Sequence, residues 1–441
     1  MKVVIIGAGQ VGSTVVEALH DEHDVTVVDL ESSRLNALSY RFDVSTVEGN
    51  GASRRVLQEA GVSEAGLLIA CTSRDEPNLI AAMLAKKLAP QVRTVVRTTD
   101  IEYLEVWHER QLDVDLLVSS ELETAHAVSR IIGVPAARQT DVFADGQVQI
   151  VEFEVETGAG DGVVGIPLRE ARIPADSKVA SIIRGEQMIV PRGDASIEPG
   201  DRVIIIGSPR AARAWSEIMA RERKRVDDVV VYGAGRIGVA VARLLLEQSI
   251  RVRLIEANRE RAREVAELLP NARVFNATGL EPDFLERERI GNARAAIFAM
   301  RDDAKNHYAA TLAKLHGVTF TIAVVHDAVS MEVFERAGID VAINPRQVTA
   351  EELVRFAHDP RTRQVAMLEG DRYEILDITV RGESSLVDVP FRELPMTGAL
   401  IGAIVRDGTA IFPHGDDVLM PGDRVIIFTE SARVAEVERT L

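Results

Sequence analysis

The sequence predicts an α/β fold of two Rossmann-like parallel-sheet domains, each followed by a small α+β domain. Three observations carry that prediction. Residues 3–12 read VVIIGAGQVG and residues 229–238 read VVVYGAGRIG, so an apolar run leads twice into Gly-Ala-Gly-x-(Val/Ile)-Gly, with Gly7 and Gly233 at an offset of 226. A second pair of segments, 181–203 and 403–425, sets Arg184, Pro191, Gly193, Gly200 and Asp201 against Arg406, Pro413, Gly415, Gly422 and Asp423 at an offset of 222. Two different motifs repeating at nearly one offset mean that one two-part unit occurs twice. In the first part of each unit, short β-branched runs alternate with helical stretches, the pattern of right-handed βαβ crossovers and a parallel sheet.

The elements follow in order. In the first repeat, strands are expected over Lys2–Ile6, Val25–Val28, Ser45–Val47, Leu67–Cys71, Thr94–Arg97 and Leu116–Val118, with helices such as Gln10–Leu19 and Glu76–Leu88 between them. The second repeat offers Val229–Tyr232, Arg253–Ile255, Arg273–Phe275, Ala295–Ala299, Thr321–Val325 and Val341–Ile343. The second part of each unit reads as short strands broken by Gly, Pro and Asp, with Arg184-Gly-Glu and Arg406-Asp-Gly resembling hairpin turns. At about 150 residues per domain, 441 residues make about three domains or four small ones. Boundaries are expected near 134, 222 and 358, giving domains 1–134, 135–222, 223–358 and 359–441. They are marked by Gly133 and Pro135, by the charged run at 221–225, and by Asp359-Pro360.

Composition narrows the function. Lys plus Arg number 51 against 68 Asp plus Glu, for a net charge of −17, which argues against a nucleic-acid binder with its basic face. The single cysteine, Cys71, excludes a disulfide framework and a thiolate-rich metal site and points to a reducing compartment. No apolar run approaches the ~20 residues that span a bilayer, and the run in MKVVIIGAG is too short for a signal peptide. A cytoplasmic protein is expected. His20-Asp-Glu-His23 has a metal-like look but lies in a polar link without a third ligand, so solvated charge is the expectation.

The glycine loops carry the chemistry. Gly7, Gly9 and Gly12, like Gly233, Gly235 and Gly238, stand between a strand and a helix. The first glycine allows the tight turn, the second lets the backbone approach a pyrophosphate, and the third lets helix pack on strand. Free amides at the helix N-terminus then favour phosphate charge. An acid ends each following strand, Asp29 and Glu256, placed for adenosine ribose hydroxyls and hostile to a 2′-phosphate. At the fourth loop position Gln10 offers a neutral donor, while Arg236 is either a contact for terminal phosphates or a solvated cation. Ligands in such sheets lie beyond the carboxyl ends of strands. Thr72 and Ser73 therefore face the ligand, and Arg97, ending the fifth strand, faces the same crevice. Asp75 and Asp303 read as N-caps of the next helices, and Cys71 as a small core residue. No Ser-His-Asp arrangement or lysine suited to hydride chemistry appears in either copy.

Together these features resemble the TrkA family, the cytoplasmic regulatory subunits of Trk-type potassium uptake systems. The resemblance rests on tandem GAGQVG-type loops, Asp29, the run Thr72-Ser-Arg-Asp-Glu-Pro-Asn78, Arg97, and IVPRGD…EPGDRVIIIG. It runs the length of the chain as RCK-N, RCK-C, RCK-N and RCK-C domains. It implies NAD(H) and ATP or ADP in the RCK-N crevices. It also implies a homotetramer docked on the inner face of the membrane against a potassium-translocating subunit of the TrkH/TrkG kind. By the same resemblance the first site uses Gly7, Ala8, Gly9, Gln10 and Val11 with Asp29, Asn50, Gly51, Thr72, Ser73 and Arg97. The second uses Gly233, Ala234, Gly235, Arg236 and Ile237 with Glu256, Asn276, Ala277 and Thr278. Where the family more often has Asn-x-Asp-Glu-x-Asn, this chain has Ser73-Arg-Asp-Glu-Pro-Asn78. Ser120 stands where the second copy has Pro345, a change expected to loosen the end of the first domain. The expected function is a nucleotide-gated regulator and not an enzyme. The alternatives are an NAD-dependent dehydrogenase with duplicated Rossmann domains and the gate of a related potassium efflux or antiport system.

Overall fold

The computed structural model describes residues 1–134, 137–158, 162–185, 187–219, 226–357, 362–368, 372–394 and 399–441. The boundary signals at Pro135, 221–225 and Asp359-Pro360, and Glu186 of the first hairpin, lie outside the described residues.

The first repeat opens with β1 (Lys2–Ile6), α1 (Gln10–Leu19), β2 (Asp24–Asp29), α2 (Ser32–Arg41), β3 (Ser45–Glu48) and α3 (Arg54–Glu59). It continues with β4 (Leu67–Ala70), α4 (Asp75–Leu88), β5 (Arg93–Thr98), α5 (Ile101–His108), β6 (Leu116–Ser119) and α6 (Ser120–Gly133). The six strands form one parallel sheet in the order β3-β2-β1-β4-β5-β6. Its central strands are apolar on both faces: Val3, Val4, Ile5, Leu67, Leu68 and Ile69 are all fully buried. Such continuous runs belong to sheets covered by helices on both sides. The order reverses between β1 and β4, where a ligand crevice opens beyond the strand ends.

An antiparallel sheet follows, from β7 (Ala137–Phe143), β8 (Val148–Glu154), β9 (Ser177–Arg184), β10 (Gln187–Ile189) and β11 (Arg202–Gly207), with α7 (Pro209–Met219) behind it. Its strand order is β10-β9-β11-β8-β7. The second repeat begins with β12 (Asp228–Tyr232), α8 (Arg236–Glu247), β13 (Arg251–Glu256), α9 (Arg259–Leu268), β14 (Arg273–Asn276) and α10 (Pro282–Arg287). Next come β15 (Ala295–Phe298), α11 (Asp303–Leu315), β16 (Thr321–Val324), α12 (Ala328–Arg336), β17 (Val341–Ile343) and α13 (Pro345–Arg355). Its sheet reproduces the first in order, β14-β13-β12-β15-β16-β17. The last sheet, from β18 (Thr362–Leu368), β19 (Tyr373–Thr379), β20 (Ala399–Arg406), β21 (Thr409–Ile411) and β22 (Arg424–Glu430), ends in α14 (Val434–Thr440). Its order β18-β19-β22-β20-β21 matches the first antiparallel sheet strand for strand.

The residues repeated at offset 222 explain themselves in these sheets. Arg184 donates two hydrogen bonds to Asp201, from Nε at 2.9 Å and Nη2 at 2.8 Å. Arg406 does the same to Asp423, at 2.9 and 2.7 Å. Each buried carboxylate also accepts a backbone amide, of Glu198 or Met420, and each arginine reaches a loop carbonyl, of Ser196 or Val418. The motif ties the loop before the last strand to the hairpin. The two antiparallel sheets also share a core, in which Phe143, Ile150 and Ile204 pack with Ile375, Ala403 and Phe428.

Two compact units emerge from the packing. One holds Met1–Ala125, the segment Val324–Met331 and the segment from Ile343 that carries α13; the other gathers the remaining chain. Helix α13, by sequence the last element of the second parallel-sheet repeat, lies against α1, β5 and β6 of the first. Its Thr349 hydroxyl donates to Ser120 Oγ at 2.9 Å. Ser120 is buried there and also accepts from Arg97 Nε at 2.9 Å. The expected loosening at Ser120 is therefore corrected: a hydroxyl where the second copy has proline supplies a junction.

Candidate functional site: two nucleotide crevices

The first crevice starts with the turn after β1. Gly7 has φ +112°, a conformation that needs glycine, and its amide donates to Val28 O at 2.8 Å. A Cβ at Gly12 would lie 1.8 Å from Gly7 O, so α1 rests directly on the turn through that glycine. Around Gly9 there is open space. The three glycines thus divide their work: Gly7 turns, Gly12 packs, and Gly9 leaves room for a ligand over the start of α1. Asp29 at the end of β2 is held facing this loop, with Oδ2 accepting from Ala8 N at 2.7 Å and Oδ1 from Glu31 N at 2.9 Å. Beyond β3, Gly49 N donates to Asp29 O, Asn50 accepts from Ala52 N, and Gly51 presses on Ile6 so closely that a Cβ would lie 2.2 Å from its Cγ2.

The loop after β4 is organised by a residue outside the predicted set. Asn78 is fully buried on α4, and its Oδ1 accepts from both the amide and the hydroxyl of Thr72. Its Nδ2 donates to the carbonyls of Thr72 and Arg97. In the second repeat Asn306 does the same for Met300 N and O. Asp75 is not the cap of α4. It sits inside the first turn and accepts from Thr98 Oγ1, from Thr99 N and Oγ1, and from Asp100 N, binding α4 to the end of β5. In α11 the cap is Asp302, which accepts from Lys305 N, and Asp303 is the first helical residue. The two corrections differ in cause: in α11 the capping acid stands one residue earlier, whereas in α4 the cap position is Arg74, which makes no side-chain cap bond, and Asp75 turns to the end of β5 instead.

The result is a crevice of about 740 Å³. It brings together Gly7, Ala8, Gly9, Gln10, Val11, Asp29, Asn50, Gly51, Thr72, Ser73 and Arg97. Gly12 alone of the first predicted set stays behind the wall, in its packing role. Arg97 is braced, donating from Nε to Ser120 and from Nη1 to Thr72 O at 3.3 Å. Cys71 sits at the floor with Sγ 3.9 Å from Gly7 O. Burial pushes its thiol up to about 12, against a lowering by Arg97 and a further rise from Asp29. It is a neutral packing group at pH 7. Three arginines missed in the sequence also line the crevice, Arg34, Arg74 and Arg346.

The second crevice repeats the backbone and changes the side chains. Gly233 has φ +95°, a Cβ at Gly238 would lie 1.9 Å from Gly233 O, and Gly235 is again open. Glu256 accepts from Ala234 N at 2.9 Å and Asn258 N at 2.7 Å. Arg236 is exposed at the start of α8, with Ile237 half-buried behind it. Ala277 N and Asn276 Nδ2 both donate to Glu256 O, and Thr278 Oγ1 donates to Glu281. Strand register sets Tyr232 where the first repeat has Ile6, Phe298 for Ala70, and Met300 for Thr72. Thr94 and Thr321, which donate alike to Asp115 and Asp340, bring Val324 to the place of Arg97. The Tyr232 ring stacks on Phe298 at 4.8 Å, and burial raises its phenol.

Among the described residues no group of acids, histidines and cysteine assembles to hold a metal; His20 packs on Phe42. No helix among them is long and apolar enough to cross a membrane.

A glycine-loop parallel sheet with a carboxylate at the end of its second strand, followed by a small antiparallel-sheet domain and repeated once, defines a tandem RCK-type chain. Residues 3–120 and 229–345 match the TrkA-N domain, and residues 151–220 and 375–441 match the TrkA-C domain. The chain belongs to the TrkA family. It is 31% identical over its full length to "Trk system potassium uptake protein TrkA homolog 1" of Methanosarcina mazei, covering 99% of that protein. It is 33% identical to "Trk system potassium uptake protein TrkA" of Halomonas elongata, covering 98% of it. Among solved structures the whole chain is similar in fold to the GsuK RCK domain, with TM-score 0.60, 18% identity and 94% of that chain covered. It is similar also to the GsuK channel bound to NAD, with TM-score 0.61, 18% identity and 78% of that chain covered.

Proposed function

We propose that this protein is the nucleotide-binding regulatory subunit of a Trk-type potassium uptake system, and not an enzyme. The observation that supports this most is the first crevice itself. An open glycine loop at a helix start, a carboxylate whose two oxygens are fixed by backbone amides, and a braced arginine together suit a nucleotide. Asp29 is oriented for ribose hydroxyls, and the neutral Cys71 thiol is no nucleophile. The family relatives are potassium uptake proteins by name, which favours a membrane potassium-translocating partner. On this reading the chain acts against that partner as a homotetramer on the cytoplasmic face.

The ligands we assign are ATP or ADP and NAD(H), with the domains running 1–134, 135–222, 223–358 and 359–441. The first site uses Gly7–Val11, Asp29, Asn50, Gly51, Thr72, Ser73 and Arg97; the second uses Gly233–Ile237 and Glu256, with Asn276, Ala277 and Thr278 shaping its rim. Gating follows if two ligands hold different arrangements of the assembly with different affinity. A difference of ~1–3 kcal/mol shifts the open fraction of the partner about 5–150-fold. Calorimetric titration of the purified chain with ATP, ADP, NAD and NADH, alongside its mass in solution, tests the reading. Adenine nucleotide binding by a tetramer, without consumption of NAD, is the expected result. Turnover of NAD with a hydroxy or amino acid would overturn it in favour of a dehydrogenase.

A further inference from the structure

The strand order separates the two chemical ends of the first crevice. Asp29 ends β2 and Arg97 lies one residue before the end of β5, three strand steps apart, or about 14 Å at the usual spacing. Both carboxylates of the lining, Asp29 and Glu31, belong to the β2 end, where Glu31 is paired with Arg34 at 2.9 Å. Toward the β5 end the charged lining groups are Arg74, Arg97 and Arg346.

Arg346 comes from far along the sequence. It lies in the first turn of α13, one turn before Thr349, whose hydroxyl contacts the same Ser120 that braces Arg97. Asn344 caps the helix by accepting from Arg346 N and Gln347 N, which fixes the direction in which the Arg346 side chain leaves. One guanidinium nitrogen, Nη1, donates to the His326 carbonyl. A guanidinium carries five donors, so its remaining ones are available to the crevice it lines.

We propose that Arg346 is a specificity residue of the first site, which makes that site select a nucleoside triphosphate over the diphosphate. This rests on the nucleotide-binding reading given above and names what that site prefers. With the ribose on Asp29 and the first phosphates over the open amides at Gly9, a third phosphate extends toward β5 and meets Arg97 and Arg346. The same cluster opposes the cationic ring of oxidised NAD, which in this orientation would enter an all-arginine end. Because α13 follows β17 through Asn344 alone, the triphosphate would touch residues of both repeats at once. Loss of the third phosphate would release the residue contributed by the second.

The test uses the full chain carrying Gly235→Asp, which places a carboxylate in the phosphate position of the second crevice so that the first is read alone. In this background, Arg346→Gln should lower ATP affinity about tenfold, the size of one charge-assisted hydrogen bond, and leave ADP and NADH within about twofold. Arg346→Lys should keep most of the ATP preference, and it carries the same test if the glutamine variant folds poorly. An ATP-to-ADP ratio unchanged in both variants, or an equal loss for both nucleotides, overturns the role of Arg346 and leaves the nucleotide-binding reading standing. Failure of the unsubstituted protein to bind either nucleotide overturns both.

Discussion

The crevice shows how three residues of one type divide one task. A Cβ at Gly9 meets nothing within 4 Å, whereas one at Gly12 meets the Gly7 carbonyl at 1.8 Å. Gly9→Asp should therefore fold with an unchanged melting temperature and lose nucleotide binding at the first site, since its carboxylate takes the phosphate position. Gly12→Ala should behave in the opposite sense. It must lift α1 from the turn, at a cost of about 1–3 kcal/mol by the usual scale of overpacking, and denaturant unfolding would show it without ligand. A melting point lowered equally by both substitutions would contradict this division. Cys71 offers a second check at this scale. Its thiol is raised from about 9 to about 12 mainly by burial. Between those values the unfolded chain has released the proton that the folded chain keeps, so this group's stabilisation is complete below pH 9 and lost as pH rises toward 12. At pH 7.5 a maleimide should leave the native protein unlabelled and label it once denatured; rapid native labelling would show that the floor of the crevice opens.

Among the elements, the duplicated antiparallel sheets permit a comparison of two halves of one ion pair. Asp423 is buried at 2% exposure, while Arg406 keeps 26%. Removing the arginine strands a buried carboxylate, whereas Asp423→Asn leaves the guanidinium partly hydrated and keeps an oxygen for the Met420 amide. Arg406→Met should thus cost about 3 kcal/mol or more and Asp423→Asn clearly less, read as the order of their melting temperatures. The reverse order would mean that the carboxylate is reached by water. This pair, the glycine loops, Asp29 and Glu256 were legible in the sequence because each declares itself locally: a fixed spacing, a strand end, a repeat. Asn78 was visible in the motif but not its purpose, which depends on α4 lying beneath both Thr72 and Arg97. The cap expected at Asp303 belongs to Asp302, since adjacent acids differ only in helical phase, and the one expected at Asp75 does not form because that carboxylate binds the distant end of β5. Arg346 could not be read at all: it reaches the first crevice through a helix that follows the second sheet, and nothing near residue 346 signals that packing.

For the molecule as a whole, the backbone duplication coexists with chemical divergence. Both crevices keep the glycine turn, the open middle glycine and the carboxylate bonded to the loop amide, so both retain the features on which the proposed adenine-nucleotide binding rests. At the far end the first has Thr72 and Arg97 where the second has Met300 and Val324, and at the floor it has Ile6 where the second has Tyr232. A group that carries charge is stabilised in the first and gains nothing from those positions in the second. The two sites should accordingly have unlike ligands, the first preferring more phosphates. Linked stability makes this measurable on the intact chain. A ligand at one hundred times its dissociation constant stabilises the folded state by about 2.7 kcal/mol, which raises the melting temperature of the unit that holds it. With ATP added, the upward shift should survive Gly235→Asp and vanish in Gly9→Asp. If ATP still raises the melting temperature of Gly9→Asp by as much as it raises the unsubstituted protein, its principal site is the second crevice. The difference in side chains at the strand ends would then not be what sorts the ligands, and Arg236 would become the residue to examine.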